Sequence, residues 1–184
     1  MLDVRVYRAA FAPALIALFV AAFSLADRPA AVTTPFAPGF DGSRAFDALR
    51  QLGDTFPDRP AGSNADRALA ARVAESFRAN GFRVSRSTDS ERTVDGSAEL
   101  ETVVGVRPGL SSRRIVVMAH RDARGSPALA ELSGTAALLE FARVFKVRDL
   151  SSTLVLVSTS GGSAGGAGAR AFAERADEIG RAHV

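Results

Sequence analysis

The stretch Ile-Val-Val-Met-Ala-His-Arg-Asp at residues 115–122 decides the fold. It begins as a run of apolar residues typical of a buried strand, and it ends on an imidazole and a carboxylate. The carboxyl edge of a sheet is where open α/β folds place their sites. His120 and Asp122 are therefore the first candidates for chemistry, although a His-x-Asp pair alone is weak evidence.

Helix and strand signals alternate on both sides of this stretch. Helical spacing of apolar residues predicts helices over residues 43–56, from a cap at Ser63 or Asn64 to Asn80-Gly81, over 133–145 and from 164 to 177. Short β-rich runs predict strands over residues 82–86, 101–106, 114–119 and 153–158. We expect the second and third strands to be neighbours. The alternation predicts an α/β domain with a mostly parallel sheet and helices on both faces.

The first 26 residues predict an export element. After Arg5 and Arg8, residues 9–26 are uncharged, and their number suits a membrane span, which needs roughly 17–25 apolar residues. We expect either a transmembrane signal-anchor helix or a cleaved signal peptide with small residues at its end. The domain is accordingly predicted to lie outside the cytoplasm, either held at the cell membrane by this single pass or secreted after cleavage.

The rest of the chain divides into three segments. Residues 27–42, which contain prolines and no apolar periodicity, predict a linker, and residues 43–177 predict the folded domain. Residues 178–184 are what a sequencing adapter read in frame would encode, so we exclude His183 from functional reasoning. We therefore expect a longer natural chain and a C-terminally truncated domain with an exposed strand edge; a genuine short tail is the alternative.

Composition excludes several functions. The chain has 184 residues, a net charge of +3 and scattered arginines, which does not favour a nucleic-acid partner. It contains no cysteine, so thiolate catalysis and cysteine-bound zinc are excluded.

Several short motifs follow one another in a recognisable order. They are Arg59-Pro60-Ala61-Gly62-Ser63, Asn80-Gly81-Phe82, Arg107-Pro108-Gly109, residues 115–122 and residues 132–140. In order and spacing they resemble the N-terminal part of the bacterial leucyl aminopeptidase-like zinc exopeptidases, the family twenty-eight metallopeptidases. The resemblance implies two zinc ions, a bridging aspartate, a histidine ligand from the His-x-Asp motif, and a Glu-Glu pair that supplies a general base and a further ligand.

By this resemblance His120 is a zinc ligand and Asp122 is its orienting partner. The bridging aspartate should lie four residues before Gly134, where the chain has Ala130. Glu131, one position later, is a replacement ligand only if its side chain turns inward; otherwise it is a solvated glutamate at a helix start.

The Glu-Glu pair should follow the strand over residues 153–158, but Gly161 and Gly162 stand there. The resemblance therefore implies a degenerate metal site, at which zinc is not expected to bind as a full pair. The glycine-rich run over 161–168 lacks the lysine of a phosphate loop, and Ser158, Ser160 and Ser163 lie outside any nucleophile-elbow pattern.

These residues lead to three functional hypotheses. The first is a metallopeptidase-like extracytoplasmic domain that has become a pseudoenzyme and binds a partner such as a peptide. The second is an active zinc exopeptidase with replacement ligands, or with ligands beyond residue 177. The third is a non-enzymatic scaffold domain of a membrane protein.

Overall fold

The computed structural model of the chain describes residues 11, 13–19, 39–125 and 129–181. The chain divides into two units, Met1–Phe36 and Ala37–Val184. In the first unit the described residues are helical and exposed. The other residues of the predicted export element, and most of the predicted linker, lie outside the described residues. Among the helices that the structure describes, none is long and apolar enough to cross a membrane.

The second unit alternates helices and strands. In chain order the described elements are α1 (Gly42–Thr55), α2 (Asn64–Ala79), β1 (Arg83–Thr93), β2 (Gly96–Arg107), β3 (Ser111–His120), α3 (Ser133–Phe145), β4 (Ser152–Thr159) and α4 (Ala167–Arg181). A 3₁₀ turn, Ala130–Leu132, leads into α3. The predicted helices and strands are all present, and β1 and β2 are both longer than predicted.

Side-chain caps fix where the first two helices begin. The Asp41 carboxylate accepts hydrogen bonds from the amides of Ser43 and Arg44, and the Ser63 hydroxyl accepts one from Asp66. Each bond satisfies an amide that has no partner inside the helix, so Ser63, rather than Asn64, caps α2. The helix α2 ends before Gly81, whose φ of +81° suits glycine.

The sheet is mixed, so the prediction of a mostly parallel sheet is wrong. Its strand order is β1-β2-β4-β3, and the β3–β4 pair alone is parallel within the described residues. The strands β2 and β3, predicted to be neighbours, are separated by β4. The physical reason is burial: β4 is almost wholly buried around its apolar centre, residues 154–157, which suits a central position, whereas β3 is mostly exposed and lies at an edge.

A long hairpin accounts for the antiparallel part. The strands β1 and β2 pair from Arg83 opposite Val106 to Thr93 opposite Gly96, and Gly96 has a φ of +111°. Residues 87–100 are mostly polar, so they lack the apolar run that predicts a strand. Only the alternation of inward and outward positions could have indicated that both strands extend through them.

The apolar core lies between the sheet and the helices α2 and α3. It contains Leu69, Val73 and Phe77 from α2, packed with Val103, Leu154 and Leu156 from the sheet. A Cβ atom at Gly105 would lie 2.7 Å from the Phe77 ring, so this glycine allows α2 to approach the sheet closely. The helix α4 contacts β1 and β2. Its Phe172 shares a cavity with Val104 and Val155, which alternate with the core residues and therefore face the opposite side of the sheet.

Candidate functional site

The ends of two parallel strands bring the predicted site residues together. His120 is in register with Thr159, so β3 and β4 finish side by side at one edge of the sheet. His120 ends β3 and Asp122 lies just beyond it, and residues 160–166, which we call the glycine loop, follow β4. This is the edge at which open α/β sheets place their sites.

Asp122 is anchored by the glycine loop. Its buried carboxylate accepts hydrogen bonds from the Gly162 amide at 2.9 Å, the Ser163 amide at 3.0 Å and the Ser163 hydroxyl at 2.6 Å. Burial alone would raise the pKa of Asp122, but His120 and these donors together lower it to about 2. Asp122 is therefore an anion at any pH near neutrality.

His120 lies between two carboxylates. Its Nδ1 atom is 3.2 Å from the Asp122 carbonyl oxygen and 3.6 Å from the Asp122 carboxylate, and its Nε2 atom is 3.2 Å from a Glu131 carboxylate oxygen. The Asp122 carboxylate raises the pKa of His120 most, and burial opposes it. The side chains of His120 and Glu131 are 34% and 44% exposed, so solvent reaches this pair.

The three positions at which the resemblance expects carboxylates differ in their surroundings. Ala130 is exposed in the 3₁₀ turn. A Cβ atom at Gly162 would lie 2.1 Å from Cγ of His120, and one at Gly161 would lie 2.6 Å from Leu100 Cδ1, at a φ of +78°. Real Cβ contacts are never this short, so Gly161 and Gly162 accept no side chain while their neighbours keep these positions.

Two buried arginines adjoin the site, and sequence reasoning did not find them. Arg59 and Arg121 have no exposed surface. The Nε atom of Arg121 lies 2.8 Å from an Asp66 oxygen, and Arg121 also donates to the carbonyl groups of Glu101 and Ser158. Both arginines belong to motifs quoted above, but nothing in those motifs distinguishes a buried arginine from a surface one.

Ser160 joins this buried network. Its hydroxyl donates a 2.6 Å hydrogen bond to Asp66, while Arg59 Nε donates to the Arg121 carbonyl oxygen at 2.7 Å. Burial raises the pKa of Asp66, and the Arg121 guanidinium opposes that shift. We regard this pair as ionised, because each charge directly contacts its partner.

The guanidinium of Arg59 interacts electrostatically with the carboxylates of the site. Burial lowers its pKa, and the carboxylates of Asp122 and Glu131 are the largest opposing influences. The buried anions Asp66 and Asp122 are thus accompanied by the buried cations Arg59 and Arg121, and this part of the chain balances its own charge.

Residues 102–183 match peptidase family M28. The resemblance that the motifs predicted is confirmed by this match and by solved structures of the M28 type. No curated protein sequence matches the chain. We refer below to the second unit as the M28-like domain.

Three solved structures illustrate the shared fold. A leucine aminopeptidase precursor from Bacteroides thetaiotaomicron is 22% identical, with a TM-score of 0.59 over 66% of this chain and 47% of its own. A Zn-dependent exopeptidase from Parabacteroides distasonis is 20% identical, with a TM-score of 0.60 over 66% and 47%. A glutaminyl cyclase from an Acidobacteriales bacterium is 20% identical, with a TM-score of 0.69 over 78% and 55%. The chain therefore spans about half the length of these structures, which fits an N-terminal part of such a domain.

The M28 family suggests zinc, and a zinc site needs a defined set of ligand side chains. Zinc in proteins takes three or four histidine, cysteine or carboxylate ligands. Within residues 39–125 and 129–181, no group of three or more such side chains is placed to hold a metal ion. His120 and Glu131 are close enough to share an ion, but Asp122 is already occupied by the glycine loop. The described part of the M28-like domain therefore does not fit the two-zinc centre.

The serines of the glycine loop do not form a hydrolytic triad. Ser163 donates to Asp122 and Ser160 donates to Asp66, whereas a nucleophilic serine needs a histidine as its base. The buried Ser158 hydroxyl has no hydrogen-bond partner among the described residues.

Proposed function

We propose that the M28-like domain is a non-catalytic binding domain in which the two-zinc centre has been replaced by internal packing and hydrogen bonding. The observation that carries this proposal is the contact between Gly162 and the His120 ring. A glutamate at position 162 would place its Cβ atom 2.1 Å from His120 Cγ. The histidine and the glutamate of an active site would therefore exclude each other in this arrangement.

The hydrogen bonding of Asp122 supports the same proposal. Three donors from the glycine loop occupy the two oxygens of its carboxylate. In the resemblance Asp122 orients a histidine bound to metal; here it lies 3.6 Å from His120 Nδ1 and also ties the ends of β3 and β4 together. A carboxylate with these partners stabilises the fold whether or not a ligand is present.

A peptide is the ligand class that this fold favours, by analogy with the aminopeptidase and exopeptidase structures to which it is similar. Glu131 is the exposed carboxylate at the site edge, and it could accept the N-terminal ammonium group of a peptide. We also propose that the domain works outside the cytoplasm, tethered or delivered by the N-terminal apolar segment; this part rests on the sequence alone.

One observation favours a second candidate, an exopeptidase with replacement ligands. The Nε2 atom of His120 and a Glu131 oxygen approach to 3.2 Å, and both are zinc-ligand types on an accessible edge. A third and fourth ligand would have to come from outside the described residues.

Turnover and binding assays on the full chain separate the two candidates. We expect no release of product from a leucyl amide reporter with zinc supplied, and saturable binding of fluorescent peptides with a free N-terminus. Acetylated peptides are the matched control for the ammonium contact. Turnover that disappears in both His120→Ala and Glu131→Gln would overturn the non-catalytic proposal, and equal binding of acetylated peptides would overturn the role of Glu131.

A further inference from the structure

A cavity of about 530 Å³ lies on the face of the sheet that α4 covers, away from the apolar core. Val104, Val106 and Val155 form its floor and Phe172 of α4 forms a wall. Its volume falls in the range of small-molecule sites, which are concave and mostly apolar with a few polar groups. We call this cavity the valine groove.

The pairing of the strands shows that the valine groove runs across the sheet. Arg83 on β1 is opposite Val106, Val106 is opposite Val155, and Arg114 on β3 is opposite Thr153. The groove therefore runs from one edge strand to the other, a distance of about 14 Å for three strand spacings.

The charge at the two ends of the valine groove is positive and uncompensated. Arg83 and Arg114 line it, and neither guanidinium makes a hydrogen bond or ion pair among the described residues. Arg86 and Arg175 line it as well, but Arg86 binds Glu101, and Arg175 binds Asp89 and Ser87. No carboxylate lines the groove within the described residues. An anion held midway over the apolar floor lies about 7 Å from each edge strand, half of the three strand spacings, and a long arginine side chain spans about that distance.

We propose that the valine groove binds a long-chain carboxylate. The alkyl chain lies on Val104, Val106 and Val155 beside Phe172, and the carboxylate is bound by Arg83 and Arg114. A guanidinium matches the two oxygens of a carboxylate, and a valine floor contributes nothing to a small inorganic anion. Charge complementarity and an apolar floor therefore point to one ligand that has both features.

Titration of the full chain with dodecanoate in detergent-free buffer tests this proposal. Binding is followed by calorimetry and by the ¹³C shift of the labelled carboxylate carbon. We expect saturable binding, and about tenfold weaker binding in the double variant Arg83→Gln with Arg114→Gln, the equivalent of roughly 1.4 kcal/mol. Arg113→Gln is the matched control, because Arg113 is an exposed arginine next to Arg114 that does not line the groove. It should bind like the wild type.

Three further results would overturn the proposal. Dodecanol binding as tightly as dodecanoate, with no effect of the double variant, would mean that the arginines have no role. Inorganic phosphate competing fully with dodecanoate would mean that the apolar floor has no role. A dimer in analytical ultracentrifugation that buries this face and excludes dodecanoate would assign the groove to a second copy of the chain. Because neither arginine has a partner to lose, circular dichroism of the double variant should match that of the wild type.

Discussion

The ends of β3 and β4 lie side by side, but they match the exopeptidase resemblance to different degrees. After β3, His120 and Asp122 stand where the M28 resemblance expects a ligand and its orienting partner. After β4, where a pair of glutamates is expected, the glycine loop donates hydrogen bonds to Asp122 instead. In the described structure the end of β4 therefore donates hydrogen bonds to a carboxylate that follows β3.

This difference shows that two neighbouring strand ends can be held together by a carboxylate and the backbone donors opposite it. Asp122 is buried, and a buried carboxylate costs free energy unless hydrogen-bond donors satisfy it. Backbone amides of the glycine loop supply those donors, and the glycine at position 162 lets the loop approach His120. The predictions below test how far the two strand ends now depend on each other.

The largest effect is expected from Gly162→Glu, which places a carboxylate at the end of β4. Its Cβ atom would lie 2.1 Å from His120 Cγ, so either the ring or the loop must move. We expect a loss of about 3 kcal/mol or more in the free energy of unfolding, measured with urea, and no gain in zinc binding.

Gly42→Glu is the matched control for that substitution. Gly42 has no atom within 4 Å of a built Cβ, and it begins α1, where negative charge is favourable. Its stability should stay within about 0.5 kcal/mol of the wild type. A Gly162→Glu protein as stable as this control would contradict the described packing.

The next largest effect is expected from Asp122→Asn. The substitution removes the charge that binds His120 and leaves the glycine-loop donors with a weaker acceptor. We expect a loss of about 3 kcal/mol near neutral pH, with the exposed Asp54→Asn as control.

The pH dependence of that loss follows from the pKa of Asp122, which folding lowers from 3.8 to about 2. Its contribution is about 2 kcal/mol, is complete above the unfolded pKa and disappears as pH falls through the folded one. Urea titrations should therefore show the two proteins converging between about pH 4 and pH 2. A difference independent of pH would mean that the ionised carboxylate is not the source.

Ser163→Ala should have a smaller effect, because it removes the hydroxyl bond to Asp122 and keeps both amide bonds. We expect a loss of about 1 kcal/mol by urea unfolding. Ser97→Ala, at an exposed position in β2, should change stability much less. Equal losses of stability in the two variants would mean that the hydrogen bond from the Ser163 hydroxyl to Asp122 does not stabilise the fold.

The smallest effect on stability is expected from Glu131→Gln, below about 0.5 kcal/mol, because both members of the His120–Glu131 pair are partly exposed. His120 has a raised pKa, so its stabilising contribution is complete below its ordinary value and is lost as pH rises through the raised one. NMR titration should show a larger fall in the His120 pKa for Asp122→Asn than for Glu131→Gln. The reverse order would identify Glu131 as the main partner.

Much of the fold could be predicted because periodicity and turn chemistry are local. The apolar spacing over residues 133–145 and the Asn80-Gly81 stop gave helices that the structure confirms. Strand order could not be predicted in the same way, because it depends on which apolar strand is buried most. The strand β4 is buried most, and it lies between β2 and β3.

The candidate site was only partly predictable for a related reason. The motif order placed His120 and Asp122 at one sheet edge and drew attention to Gly161 and Gly162. No sequence pattern indicated that the glycine loop binds Asp122, or that Arg59 and Arg121 are buried beside it. Such contacts join residues some 40 positions apart or more, and only the packed sheet brings them together.

Zinc stoichiometry of the full chain tests the central claim most directly. The chain is equilibrated with zinc, dialysed against a weak chelator and measured by elemental analysis beside His120→Ala. We expect less than one zinc ion per chain, unchanged by the substitution, because the described residues include no complete ligand set. Two tightly bound zinc ions that are lost in His120→Ala would contradict this expectation and would identify a working metallopeptidase.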